Sequence, residues 1–146
     1  MEVSFGCINT QLTGPVTDGT CVRQVFFASA DILESVSVFF STYGKTLLEG
    51  VVVVEIIDFV TEKKIATVQI NASELKDNDW HAFPLNAPLS MRQKYEMRLW
   101  TINCRSGQAF TLHQGSRKNW GYLFMGARMV RLAELKCRFV YAGETK

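Results

Sequence analysis

The strictest constraint in this chain is a two-residue alternation of apolar and polar side chains that recurs in long runs. In residues 35–43, Val36, Val38 and Phe40 alternate with Ser35, Ser37 and Ser41. In residues 93–102, Tyr95, Met97 and Leu99 alternate with Glu96 and Arg98. In residues 132–141, Leu135, Cys137, Phe139 and Tyr141 alternate with Lys136 and Arg138. A period of two puts successive side chains on opposite faces of an extended strand. Chains made of such runs bury one face of each strand in a sheet.

The segments between these runs extend the pattern. Residues 22–28 predict a first strand, and residues 51–59 are apolar on both faces, as a central strand would be. Thr61, Glu62, Lys63 and Lys64 form a polar hairpin tip before a strand at 65–70. Residues 71–75 hold the one plausible helical turn, with Asn71 as cap and Glu74 three residues on. Asp77, Asn78 and Asp79 turn the chain into residues 80–85, which Pro84 and Pro88 confine to an edge or a loop. Shorter strands are expected at 108–113 and 122–125. Phe39 interrupts the polar face of its strand, so part of that face is expected to be covered. The sum is eight or nine strands, almost no helix and turn signals at sandwich-like spacing. The fold class is therefore all-β, a two-sheet antiparallel β-sandwich of the jelly-roll type.

The 146 residues fit one domain, long enough to fold without a metal or a disulfide. Residues 1–21 read as an N-terminal arm or lead-in strand, with Phe5 and Ile8 as their strong apolar anchors. The arm either folds back on its own sandwich or packs on a neighbour. Residues 22–146 form the sandwich domain. The net charge of +2 and the scattered Lys and Arg exclude a basic stripe for nucleic acid. The longest apolar run, residues 51–54, is far too short to span a membrane. The first residues have no basic segment followed by an apolar one, so the chain is expected to be made in the cytoplasm without a signal peptide. Cys7, Cys21, Cys104 and Cys137 lack the spacing of zinc or redox sites and are expected to be reduced thiols.

The order of these features resembles a known family. Val22-Arg23-Gln24-Val25-Phe26 leads into the run from Leu33 to Gly44. Leu75-Lys76-Asp77-Asn78 and Phe83-Pro84-Leu85 follow the long apolar strand. Lys94-Tyr95-Glu96-Met97-Arg98-Leu99 and Phe139-Val140-Tyr141 close the series. Over residues 22–141 the chain resembles the galactose-binding-like jelly rolls, which include many carbohydrate-binding modules. Similar domains are attached to bacterial glycan enzymes and occur in phage virion proteins. The resemblance implies a fold and a class of ligand; the matching residues are core and turn positions and carry over no ligand-binding loop.

Catalytic motifs are sparse. His81 and His113 are the only histidines, and neither sits in a metal-ligand spacing. Asp77 and Asp79, two residues apart in a turn, suit backbone amides better than the separated carboxyls of a glycosidase. They also have the oxygen chemistry of a structural calcium site, a minority alternative. No Gly-x-Ser-x-Gly, phosphate loop or dinucleotide fingerprint is present. Cys104 precedes Arg105, a weak sign of an activated thiol. The expectation is a protein that is not an enzyme and needs no cofactor or metal.

Sugar recognition needs an aromatic platform flanked by hydrogen-bonding groups. Arg117, Lys118, Asn119, Trp120 and Tyr122, bounded by Gly115 and Gly121, supply one. The competing reading is that Trp120 and Tyr122 start a strand and cover one end of the core. Trp100 shares the polar face of its strand with Arg98 and Glu96 and makes a second candidate surface. Tyr43 and Arg105 are weaker candidates. The candidate glycan-binding residues are thus Trp120, Tyr122, Asn119, Arg117, Trp100 and Arg98. Two functions remain: a non-catalytic carbohydrate-binding module, set in a phage tail, baseplate or capsid-decoration protein, or a purely structural virion subunit. The expected partners are a glycan and either further copies of the chain or other virion proteins, with no nucleic acid and no membrane insertion.

Overall fold

A computed structural model describes residues 1–47, 49–104 and 109–143. Two antiparallel sheets pack face to face. The first holds seven strands: β1 (Glu2–Phe5), β2 (Gln11–Val16), β4 (Ile32–Ser41), β7 (Asp79–Pro88), β9 (Phe110–Ser116), β12 (Ala133–Leu135) and β13 (Cys137–Tyr141). The second holds six: β3 (Val22–Phe27), β5 (Val51–Asp58), β6 (Lys64–Asn71), β8 (Lys94–Ile102), β10 (Leu123–Met125) and β11 (Arg128–Val130). A 3-10 turn, Ala72–Glu74, joins β6 to the approach to β7. Glu74 accepts the Asn71 N–H at 2.9 Å, closing the expected cap. Among the described residues no helix is long and apolar enough to cross a membrane.

The side chains predicted to face inward are buried, while Glu96, predicted outward, is also buried, on the outer face of its sheet under Arg23 and Arg98. Val36, Val38 and Phe40 of β4 are fully buried, as are Met97 and Leu99 of β8 and Cys137 and Phe139 of β13. Phe26 of the six-stranded sheet stacks on Phe139 of the seven-stranded sheet with ring centroids 4.2 Å apart, which ties the layers together. β7 pairs only with β4, so its two prolines lie on an edge strand, where a missing N–H costs no ladder bond.

Thirteen strands are seen among the described residues, four beyond the nine legible in the sequence. Two come from the first residues. β1 pairs with β13 and β2 with β9, so this segment folds back onto its own sandwich. β10 and β11 form a small hairpin across Gly126. The closing run divides at Lys136: β12 pairs with β9, and β13 shifts over to β4.

Phe39 and Trp100, both expected on outward faces, lie on different sheets. Phe39 is on the seven-stranded sheet, edge-on to Trp80 and His113, with the Lys136 ammonium 4.0 Å from its ring centroid. That is the cover which the break in the serine face predicts. Trp100 is on the six-stranded sheet beside Val53 of β5. Alternation specifies which side of a strand a residue takes, not which sheet the strand joins.

Candidate functional site

The chain crosses from one sheet to the other between β9 and β10, and residues 117–122 make the crossing. They overhang a cleft of about 570 Å³ at the seam of the sandwich. One wall is Val3 and Phe5 of β1 with Tyr141 at the end of β13; the other is Phe27 and Ser29 at the end of β3 with Lys94 at the start of β8. Arg117, Asn119, Trp120 and Tyr122 close it from the loop side. Burial raises the pKa of the Tyr141 phenol, and its hydrogen bonding with Ser29 partly opposes that shift.

Two buried polar side chains hold the crossing in place. Glu134 of β12 is 2% exposed. Its carboxylate accepts the Gly6 N–H at 2.7 Å, the Lys118 N–H at 3.1 Å and the Asn119 N–H at 3.0 Å. The Asn119 Nδ2 donates to the same carboxylate at 3.1 Å and to the Ser4 carbonyl at 3.3 Å. Gln24 of β3 is fully buried. It accepts the Leu135 N–H at 2.8 Å and donates to the Tyr122 carbonyl at 3.3 Å. The Tyr122 carbonyl also accepts the Val25 N–H at 2.8 Å. Gly121 lies so close to β3 that a Cβ there would run into the Val25 carbonyl oxygen. The loop is thus fastened to both sheets.

The aromatic residues of the crossing do not pack into the core. Trp120 is 83% exposed and Tyr122 45% exposed. The Arg117 guanidinium sits 5.4 Å from the Tyr122 ring centroid and donates to the Gly121 carbonyl at 3.4 Å. Trp120 therefore does not cover the end of the core. Arg117, Asn119, Trp120 and Tyr122 share one cleft, with Asn119 in a bracing position.

Arg98 and Trp100 are not part of it. They line a separate hollow of about 320 Å³ with Gly19, Thr20, Cys21 and Glu55, on the outer face of the six-stranded sheet. Arg98 is engaged by Glu96 on its own strand, and Glu96 also faces Arg23 at 3.6 Å. The Lys64 ammonium meets Glu55 at 2.7 Å. Under this charged layer Val25, Val53 and Ile57 are buried, so long polar side chains roof an otherwise apolar sheet face. Tyr43 lies in the turn after β4, exposed and away from both hollows; Arg105 lies outside the described residues.

The remaining candidates are occupied by structural roles. Asp77 accepts the Thr42 N–H at 2.7 Å and the Ser41 hydroxyl at 3.0 Å, which hold its carboxyl below the usual pKa. Asp79 accepts the Trp80 N–H at 2.8 Å. Cys104 is buried and its thiol pKa is raised by that burial, the opposite of an activated nucleophile. The four cysteines are free thiols; Cys104 and Cys137 are buried, Cys21 is half-buried and Cys7 is exposed. Burial and the nearby Lys136 lower the pKa of His113. Among the described residues no three His, Cys, Asp or Glu side chains converge as a metal site.

Phe27, Ser29 and Lys94 of the cleft and the clamp residue Glu134 carry no signal as site residues in the sequence. The second clamp residue, Gln24, carried a usable signal. It falls on the inward phase between Val22 and Phe26, where a polar residue must find partners inside the sandwich. Glu134 gave no such signal, because its parity matches the outward Lys136 and Arg138. In comparison with known proteins, no family model matches the chain and no curated protein matches its sequence.

Proposed function

We propose that this chain is a non-catalytic carbohydrate-binding module whose sugar site is the cleft under residues 117–122. The observation that carries the reading is Trp120, a large ring 83% exposed on a loop clamped to both sheets. An exposed indole on a clamped loop offers the flat apolar surface that the C–H face of a pyranose covers. Arg117, Lys94 and Ser29 supply hydrogen-bonding groups at the same cleft. The resemblance to sandwich domains of glycan enzymes and phage virion proteins supports the ligand class and, for the setting, a virion tail, baseplate or decoration protein. The test is retention on a broad glycan array. Wild-type protein is retained, and Trp120→Ala is not, with its thermal midpoint unchanged. No retention of the wild type on any glycan overturns the proposal.

A structural subunit is the second reading, supported by the exposed apolar side chains of Met129 and Leu132 near the free edge strand β11. It requires a defined oligomer in light scattering that Leu132→Glu dissociates. A monomer at all concentrations removes it.

A further inference from the structure

Among the described residues, the cleft is lined by two cationic side chains and no acidic one. The two cations are Lys94 and Arg117. Elsewhere on the outer faces, Arg23, Arg98, Lys64 and Arg138 each meet a carboxylate within ion-pair distance. Among the described residues neither Lys94 nor Arg117 does. Both rest on aromatic rings instead. The Lys94 ammonium is 3.9 Å from the centroid of Phe59, a ring beside the cleft and not part of its lining, and Arg117 lies beside Tyr122. A ring attracts a cation but consumes none of its charge and leaves its N–H donors available. Arg117 spends one donor on the Gly121 carbonyl. The carboxylate touching a lining residue is Glu134; its oxygens receive the Gly6, Lys118 and Asn119 N–H groups, and it keeps its charge but lies within ion-pair distance of neither Lys94 nor Arg117.

The other walls are mostly apolar: Val3, Phe5, Phe27 and Tyr141. Apolar walls of low dielectric strengthen the field of two cations that, among the described residues, have no ion-pair partner. A neutral sugar would leave that field unanswered. We infer that the cleft selects a saccharide bearing a carboxylate, a uronic or sialic acid residue. Its ring packs on Trp120 and its carboxylate takes the Arg117 fork, with Lys94 as the second cation. The guanidinium is the side chain best shaped to hold a carboxylate through two parallel hydrogen bonds. This inference rests on the carbohydrate reading of the cleft and adds the ligand's charge to it.

The experiment measures calorimetric affinity of the full chain for tri-galacturonic acid and for its methyl ester, and for sialyllactose and lactose. Each pair differs in the negative charge. At least one acid is expected to bind about tenfold or more tightly than its neutral counterpart in about 20 mM salt, with the advantage shrinking at about 300 mM. Which pair shows it identifies the source of the carboxylate. Arg117→Gln is expected to bring the acid-to-neutral ratio close to one, and Lys94→Gln to reduce it less. Arg128→Gln removes an equal charge from an exposed position on β11 outside the cleft and leaves the ratio at its wild-type value. Thermal midpoints of all variants confirm that they fold. Equal affinity for acid and neutral forms, with binding still lost in Trp120→Ala, overturns the charge selection and leaves the carbohydrate site standing. No binding of any of the four sugars, nor of an array, overturns both.

Discussion

Removing the Glu134 carboxylate tests whether the cleft is held open by hydrogen bonds to the loop. Glu134→Ala strips acceptors from three backbone N–H groups, those of Gly6, Lys118 and Asn119. Gly6 is buried, so its N–H stays unsatisfied at a cost of about 1–3 kcal/mol. Lys118 is exposed and Asn119 half-buried, so water replaces part of what those two lose. The sum is about 2–4 kcal/mol, which for a domain of this size lowers the thermal midpoint by roughly 4–16 °C. Glu134→Gln is the sharper variant because it conserves volume. Its amide has one acceptor oxygen, and its NH2 must face either Gly6 or the loop amides, donor against donor. Satisfying Gly6 and sacrificing the loop is the cheaper choice, so the expected cost is about 1–2 kcal/mol. The assay is urea unfolding followed by tryptophan fluorescence, with hydrogen exchange at the Lys118 and Asn119 amides. Both variants should speed that exchange and weaken ligand binding. If Glu134→Gln unfolds within about 0.5 kcal/mol of wild type and exchanges at the same rate, the carboxylate does not hold the loop and the clamp argument fails.

Gly121→Ala places a methyl against the Val25 carbonyl oxygen, a backbone atom that cannot turn away. It should destabilise by about 1–3 kcal/mol and abolish ligand retention, as read by urea unfolding and array binding. Trp100→Ala lies in the separate hollow and should leave glycan retention unchanged, whereas its loss would join the two hollows into one site. His113 should titrate below its ordinary value of about 6.5 in an NMR pH series, because burial and Lys136 both disfavour the imidazolium. A lowered folded pKa means that the unfolded chain binds the proton more readily. Stability is therefore full above about pH 6.5 and falls as the pH drops from there to the folded pKa. His113→Asn should flatten that stretch of the pH–stability curve. Asp77 acts at lower pH. Its depressed pKa adds stability above about pH 3.9, and this is lost as the pH falls through the folded value. Asp77→Asn should remove this component of acid unfolding.

What the sequence revealed and what it hid follow from the range of the interactions involved. β4, β8 and β13 were readable because their burial is decided by alternation within one strand. Val36, Met97 and Phe139 each announce a face without reference to any partner. β5 was readable for a related reason: Val52, Val54 and Ile56 fill the core while Val53 and Ile57 lie under the charged roof. β1 and β2 were harder. Gly14 and Pro15 interrupt β2 and its pairing with β9 shifts register there, so no clean period survives. The exposed loop aromatics were legible as a cluster of residue types, but their support was not. The bonds from Glu134 to Gly6 and from Gln24 to Leu135 join residues 128 and 111 positions apart. Nothing local in either strand specifies such a partner.

The placement of these two buried polar residues bears on function. Apolar side chains at positions 24 and 134 would satisfy the sandwich more simply, since each polar group must first lose its water. What the polar pair adds is a fixed loop. Gln24 connects the six-stranded sheet to β12 and to the Tyr122 carbonyl, and Glu134 connects β12 to the loop amides and to the turn after β1. The backbone that carries Trp120 and Arg117 is thus set relative to both cleft walls by the fold itself. Ordering a loop on binding costs about 0.5–1.5 kcal/mol for each side chain immobilised, and a clamped loop has met part of that cost during folding. An indole kept out of the core on so fixed a mount gains nothing for folding, so its use is to be sought in contact with another molecule.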